Sequence, residues 1–176
     1  YEVMLRDWES LPRWMKKNEV REYYDILVKR KKSLKVKRTF DIIMASILLG
    51  VMLFPMLIIA LIIEIDSPGN IFYRQERITA YGKKFRIHKF RTMVDFADQI
   101  GGQITFNNDN RITRIGNILR KYRLDELPQL IDILEGNMSF VGTRPEVPKY
   151  VREYSNEMRA TLLLPAGVTS EASIRY

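Results

Sequence analysis

From Ile42 to Ile63 the chain runs through twenty-two residues without a single charge. About 20 apolar residues are enough for a helix to cross the hydrocarbon core of a bilayer. A chain of 176 residues leaves too little protein to bury such a helix on every side, so insertion into a membrane is the expectation. Pro55 falls inside the run, where it removes one helical hydrogen bond and clashes with the preceding turn. Both flanks are basic: seven of the ten residues from Lys29 to Arg38 are Lys or Arg, and Arg74, Arg77, Lys83 and Lys84 follow the run. Such cations gain about 1 kcal/mol each near anionic lipid and mark the cytoplasmic side. A helix that enters the bilayer, breaks at Pro55 and returns to the same face satisfies both observations. On this physics alone a plain span stays open as well.

The net charge of +8 points to an anionic partner: nucleic acid, anionic lipid or a phosphorylated substrate. Without cysteine, disulfides and thiolate metal sites are excluded. The first forty residues are polar and basic, so no signal peptide is expected there. Residues 1–36 read as a basic amphipathic extension. Ser10 and Pro12 form a plausible helix start, and Trp14, Met15, Tyr23, Ile26 and Leu27 recur at roughly helical spacing. This helix could lie in a membrane interface or simply pack on the rest of the chain.

Residues 37–64 are then the membrane helix and residues 65–176 a cytosolic catalytic domain. In the latter, Asp66 to Asn70 is a turn cluster and Ile71-Phe72-Tyr73 a short strand. Tyr81-Gly82 is a second turn, with Phe85, Ile87 and Lys89 alternating as a hairpin partner. Ile112, Ile115, Ile118 and Leu119 mark one helix. Leu127, Leu130, Ile131 and Leu134 mark another, closed by Gly136. Tyr150 to Leu164 reads as a third, stopped by Pro165. The expected fold is a small, helix-rich α/β or α+β domain carried on a proline-broken re-entrant helix with interfacial amphipathic helices. No Gly-x-Gly-x-x-Gly follows a strand, which excludes an ordinary dinucleotide-binding fold.

Adjacent carboxylates at Asp125 and Glu126 admit two readings. As a helix start before Pro128, Asp125 is an N-cap and Glu126 the first helical residue, both favoured by the helix dipole. As chemistry, carboxylates amid Arg120, Lys121 and Arg123 stay ionised and could hold a divalent metal with substrate phosphates. An ionised aspartate could also attack a phosphoanhydride.

Four strings then occur in order: Lys37-Arg38-Thr39-Phe40-Asp41, Lys89-Phe90-Arg91-Thr92-Met93, Arg123 to Leu130 (RLDELPQL) and Met138 to Pro145 (MSFVGTRP). Each is weak alone. Together, from about Lys37 to Gly167, they resemble the bacterial sugar transferase family, the monotopic polyprenyl-phosphate phosphoglycosyl transferases. The resemblance implies transfer of a sugar-1-phosphate from a nucleotide diphosphate sugar, usually UDP-linked, to undecaprenyl phosphate, with release of UMP. It makes Asp125 the nucleophile of a covalent phosphosugar intermediate and Glu126 a support for Mg²⁺-dependent chemistry, with Asp125 and Glu126 together at the metal. Lys89, Arg91, Arg120, Arg123 and Arg144 become substrate-phosphate ligands, and Pro55 the break of the re-entrant helix. The implied setting is the bacterial cytoplasmic membrane, with the catalytic domain on its cytosolic face and lipids as further partners. Neither the sugar nor an oligomeric state is specified. Thr143 replaces the first proline of the family's Gly-Pro-Arg-Pro loop, and Arg175 stands only loosely where members carry a later arginine.

Plainer readings accompany these. Lys89 and Arg91 could be solvated strand charges. His88, the only histidine, reads as structural. Asp95 and Asp98 read as surface acids before metal ligands, while Arg111 and Arg114 either solvate a helix start or touch phosphate. A non-enzymatic alternative is a membrane-anchored basic module for nucleic acid or anionic lipid. It fits poorly, because the cations surround one acidic dyad and no base-stacking platform is apparent, so nucleic acid is not an expected partner.

Overall fold

The structure is a computed structural model that describes residues 4–95, 97 and 109–170. Two turns of 3₁₀-helix, Trp8–Ser10 and Arg13–Met15, precede helix α1 (Asn18–Lys29). The expected helix start at Ser10 is therefore displaced to Asn18. The Ser10 hydroxyl donates back to Asp7 O (2.7 Å) instead of accepting from a helical N–H. Met4, Leu5, Leu11, Met15, Val20, Tyr24 and Leu34 share one core with Ile78, Leu162 and Leu163. The segment packs on the rest of the chain, with Trp14, Tyr23 and Ile26 left exposed. Tyr23 Oη also donates to Glu157 (2.9 Å).

Helix α2 (Lys31–Asp66) is 36 residues long, has a mean hydropathy of 2.8 over its most apolar stretch, and runs without interruption through Pro55, so the helix break expected at Pro55 is corrected. At 1.5 Å per residue it extends the chain by about 54 Å. Proline deletes one donor and crowds one carbonyl, and the helix absorbs that local cost because one face is packed along its length. Ala45 sits with Phe85, Ile87, Leu130, Ile133 and Met138. Met56 and Ile63 sit with Phe90 and Leu119. The other face presents Val51, Phe54 (72% exposed), Leu61 and Ile65 (82% exposed).

Both ends of α2 are bonded to the same body. Near its start, the buried Asp41 (1% exposed) accepts from Ser139 Oγ (2.7 Å) and Phe140 N (3.4 Å), with Lys37 Nζ at 3.3 Å. Lys37 Nζ also donates to Ser139 Oγ, and Arg38 donates to Ile133 O (2.7 Å) and Leu134 O (3.3 Å). Near its end, Asp66 Oδ2 accepts from Ile115 N (3.2 Å).

Four short strands follow: β1 (Phe72–Tyr73), β2 (Glu76–Ile78), β3 (Lys84–Arg86) and β4 (Lys89–Phe90). The pairs Phe72↔Phe90, Glu76↔Arg86 and Ile78↔Lys84 keep one antiparallel register, and Ile87 N donates to Gln75 O (3.0 Å) between them. They form one interrupted hairpin. Its tip is the expected Tyr81-Gly82 turn, where both residues take left-handed φ (60° and 75°), the pattern that matches strand twist.

Helix α3 (Arg114–Lys121) is capped by Thr113, whose Oγ1 accepts from Gly116 N (2.9 Å). Helix α4 (Gln129–Leu134) ends in a Schellman motif. Gly136 (φ 82°) donates to Ile133 O and Asn137 N to Asp132 O, as the sequence led us to expect. Strand β5 (Met138–Val141) pairs in parallel with β6 (Ala166–Thr169). Tyr150 to Leu164 is not one helix: α5 covers only Pro148–Arg152, and a 3₁₀ segment spans Met158–Leu163. Ser155 Oγ accepts from Met158 N (3.2 Å), a local bond that competes with continuing the helix. The described residues form a helix-rich mixed α/β fold.

Candidate active site

The dyad stands on a sharp reversal. After α3 the chain passes through Arg123 in left-handed conformation (φ 55°, ψ 25°) into a 3₁₀ turn, Leu124–Glu126. A non-glycine residue there is strained by roughly 1–3 kcal/mol, so the surrounding packing must impose it. Helix α4 begins only after Pro128, which occupies its N-cap position without a side-chain cap bond. The N-cap reading of Asp125 is thus corrected: the intervening 3₁₀ turn separates both carboxylates from the start of α4.

Freed from capping, the carboxylates are partly desolvated and meet cations from two other segments and from Arg123 at the head of their own turn. Asp125 is 8% exposed. Lys89 Nζ, from β4, lies 2.8 Å from Glu126 Oε1 and 3.7 Å from Asp125 Oδ2. Arg123 Nη1 approaches Glu126 Oε2 at 3.5 Å, and Arg144 Nη2 approaches Glu126 Oε1 at 3.9 Å. Burial pushes the Asp125 carboxyl above the usual aspartate range; Lys89 pulls against this, while Glu126 adds to it. Burial also opposes charge on Glu126, but Lys89, Arg144 and Arg123 together outweigh it and hold Glu126 below the ordinary value. Two neighbours are thereby made unequal: one firmly ionised and paired, the other ionised at a cost.

A cavity of about 1070 Å³ opens over the dyad. Its wall contains the five cations that the resemblance makes substrate-phosphate ligands, Lys89, Arg91, Arg120, Arg123 and Arg144, but not Arg114. Arg120 is aimed by Thr92, whose Oγ1 accepts from its Nε (2.8 Å). Gly116 permits this approach, since a Cβ there would collide with Thr92 O. The Arg144 loop is pinned from β6, where Gly167 N donates to Thr143 O (2.8 Å) and Gly142 N to Thr169 O (3.0 Å). A Cβ on Gly142 would stand 2.9 Å from Gly167 N and from Pro165 O, so this crossing requires glycine. Arg91 reaches the wall with its Nη atoms already donating to Ser67 O and Pro68 O, which ties the exit of α2 to the site. Pro55 lies outside this wall, within α2.

Sequence reasoning passed over Arg74, Arg77 and Arg86 as site residues, although all three line the cavity. Arg77 donates to Pro145 O (3.1 Å) beside the Arg144 loop. The hairpin alternation was the available signal. Arg111 also reaches the wall and pairs with Asp109 (2.6 Å); Asp95 lines it too. Asp98 and Arg175 lie outside the described residues.

Among the described residues, His88, Asp132 and Glu135 bring possible ligand atoms within 4.8 Å of one another. Both oxygens of Asp132 are, however, already engaged by His88: Oδ2 by its backbone N–H (2.9 Å) and Oδ1 by its ring Nδ1 (2.8 Å). Glu135 accepts from Asn137 Nδ2 (2.9 Å). The structural reading of His88 fits this geometry.

Comparison with known proteins supplies the context for a basic cavity over two carboxylates. UDP-N-acetylgalactosamine-undecaprenyl-phosphate N-acetylgalactosaminephosphotransferase of Aeromonas hydrophila is 39% identical over 123 residues, covering 70% of this chain and 29% of that protein. A putative undecaprenyl-phosphate N-acetylgalactosaminyl 1-phosphate transferase of Bacillus subtilis is 39% identical over 125 residues, 71% of this chain and 70% of that one. UDP-glucose:undecaprenyl-phosphate glucose-1-phosphate transferase of Escherichia coli is 39% identical over 143 residues, 79% of this chain and 31% of the relative. The chain thus spans under a third of two of these relatives and most of the other. The family model described as bacterial sugar transferase matches residues 32–176. The chain belongs to the bacterial sugar transferase family.

Proposed function

We propose that this chain is a phosphoglycosyl transferase that moves a sugar-1-phosphate from a UDP-sugar to undecaprenyl phosphate, a step that initiates polysaccharide assembly. The observation that carries this reading is the convergence of five basic side chains and two unequal carboxylates on one cavity. A pyrophosphate-linked donor needs cations around its phosphates and a nucleophile at the reacting phosphorus. The relatives are described as acting on UDP-N-acetylgalactosamine or UDP-glucose and undecaprenyl phosphate.

In the first half-reaction an Asp125 Oδ attacks the sugar-bearing phosphorus. The new Oδ–P bond forms as the P–O bond to the bridging oxygen breaks, and UMP departs with that oxygen and its electron pair. In the second, a phosphate oxygen of undecaprenyl phosphate attacks the same phosphorus and Asp125 leaves as carboxylate. No protein group needs to remove a proton from either nucleophile, since both attack as anionic oxygens. Lys89 keeps Asp125 ionised against burial and repulsion by Glu126. Arg120, Arg123 and Arg144 bind the phosphate oxygens, and Arg91 adds positive potential while holding the exit of α2.

The dyad suits Mg²⁺, which takes one or two carboxylates plus substrate phosphates. Among the described residues, Asp125 has an ion-pair contact only with Lys89, at 3.7 Å, and its burial is incompletely compensated. Asp125 and Glu126 would hold the ion, which when bound would neutralise charge on the transferring phosphate.

Re-entry of α2 belongs to the same proposal. It is supported by Asp41 and Asp66, near opposite ends of the helix, bonding to one body, and by the basic flanks. Residues 65–176 would then work on the cytosolic face of a bacterial membrane, carried by residues 37–64. UMP release from a panel of UDP-sugars, with and without undecaprenyl phosphate, tests the assignment. A UDP-sugar that yields UMP is expected; failure of the whole panel in both conditions would sink it.

A further inference from the structure

We propose that Asp132 is a positioning residue for the reaction, holding Lys89 in register with the Asp125–Glu126 pair through His88. The inference rests on the function proposed above and assigns a task to a residue outside the cavity wall. Asp132 is fully buried (0% exposed) on α4, the helix that follows the dyad with only Leu127 and Pro128 between. Burying a carboxylate is costly unless its oxygens are hydrogen-bonded. Here both oxygens end on a single residue, His88: Oδ2 on its backbone N–H at 2.9 Å and Oδ1 on its ring Nδ1 at 2.8 Å. The next residue is Lys89, whose Nζ reaches Glu126 at 2.8 Å.

The need for such an anchor follows from the hairpin. β4 is two residues long and pairs with the two residues of β1, and Arg91 N to Ile71 O and Ile87 N to Gln75 O carry the register one bond further on each side. His88 falls opposite Arg74 in this register, at a position whose N–H faces away from the partner strand. The hairpin bonds this strand along one edge only, and that alone does not fix a long lysine to hydrogen-bonding accuracy. The Asp132 carboxylate takes this outward N–H of His88 and so bonds the strand to the helix that leads from the dyad. The lysine and the carboxylates it serves are thereby referred to one element. Such support matters because a displacement of about 1 Å at a reacting group can cost roughly 100-fold in rate.

The test is a double-mutant cycle in the full chain in detergent or nanodiscs, reading UMP release and thermal unfolding for wild type, Asp132→Ala, Lys89→Ala and the double variant. Asp132→Ala is expected to lower kcat by roughly ten-fold or more, with the same split between kcat and KM as Lys89→Ala. Because one acts through the other, the double variant should fall no more than about three-fold below the weaker single. The shift in Tm caused by Lys89→Ala should likewise shrink when Asp132 is absent, a reading that needs no turnover. Fully additive losses in both measurements would overturn the proposal. If Asp132→Ala does not fold, Asp132→Asn decides. It keeps an oxygen for the His88 N–H and should hold kcat within about three-fold of wild type; a fall as deep as that of Lys89→Ala would overturn the proposal. A wild-type chain that releases no UMP would instead count against the transferase reading, while the unfolding cycle would still judge the Lys89–Asp132 link.

Discussion

Asp125 and Glu126 differ by one methylene and one position, yet their surroundings divide the work between them. Glu126 is paired with Lys89 and approached by Arg123 and Arg144, whereas Asp125 has its ion pair only at 3.7 Å. Asp125→Asn should abolish UMP release, by roughly 1,000-fold or more, while leaving Tm near that of wild type; near-normal turnover would remove the covalent role. The sign of the pH dependence follows from the two shifts. Asp125 must be ionised to attack, and burial raises its pKa, so the acid limb of UMP release should lie above the ordinary aspartate value. Lys89→Met should move that limb higher still, and an unmoved limb would contradict the role given to Lys89. For stability, Glu126 works in the opposite direction. Its folded-state pKa is depressed below 4.5, so its contribution is present above that value and is lost as pH falls through the depressed one. The dyad and its five cations were legible because they lie in short strings that occur together. Asp132 was not, since an acid on an amphipathic helix reads as a surface charge, and its partner lies 44 residues away.

At the scale of elements, α2 and the β5–β6 pair carry most of what the site needs. The apolar run made α2 plain in the sequence, but not that Asp41 within it would be buried against Ser139 on β5. The strand continues directly into the Gly142–Arg144 loop, so the long apolar helix is latched one step from the proposed phosphate ligand Arg144. Asp41→Ala would leave Lys37 and Ser139 without that carboxylate, and a destabilisation of about 1–3 kcal/mol, seen as a lower Tm, is expected. Gly167→Ala places a methyl against the Gly142 backbone. UMP release should fall by roughly ten-fold or more as the Arg144 loop shifts; unchanged kinetics would mean that the loop does not depend on this crossing. The Tyr81-Gly82 turn could be read from residue type alone. The break between α5 and the following 3₁₀ segment could not, because it depends on Ser155 preferring its own local bond over the apolar periodicity around it.

Taken whole, the molecule carries a basic cavity and an exposed apolar helix face, which in the proposed function meet a water-soluble donor and lipid. A lipid-linked phosphate and a UDP-sugar can meet at one carboxylate only if that carboxylate lies at the interface. The proposed re-entry places both ends of α2 on one side of the bilayer. The chain lacks cysteine, so Ser33→Cys and Asn70→Cys report that topology cleanly. Both should resist a membrane-impermeant thiol reagent added outside spheroplasts and react once the membrane is opened. Labelling of one from outside would mean a spanning helix. The central claim is covalent transfer through Asp125. Its most direct measurement is the intact mass of the full chain after incubation with a turned-over UDP-sugar and Mg²⁺ in the absence of undecaprenyl phosphate. The expected result is a phosphosugar adduct that maps to Asp125, accompanies UMP release and disappears when acceptor lipid is added. UMP release that requires acceptor, with no adduct on the chain, would contradict it.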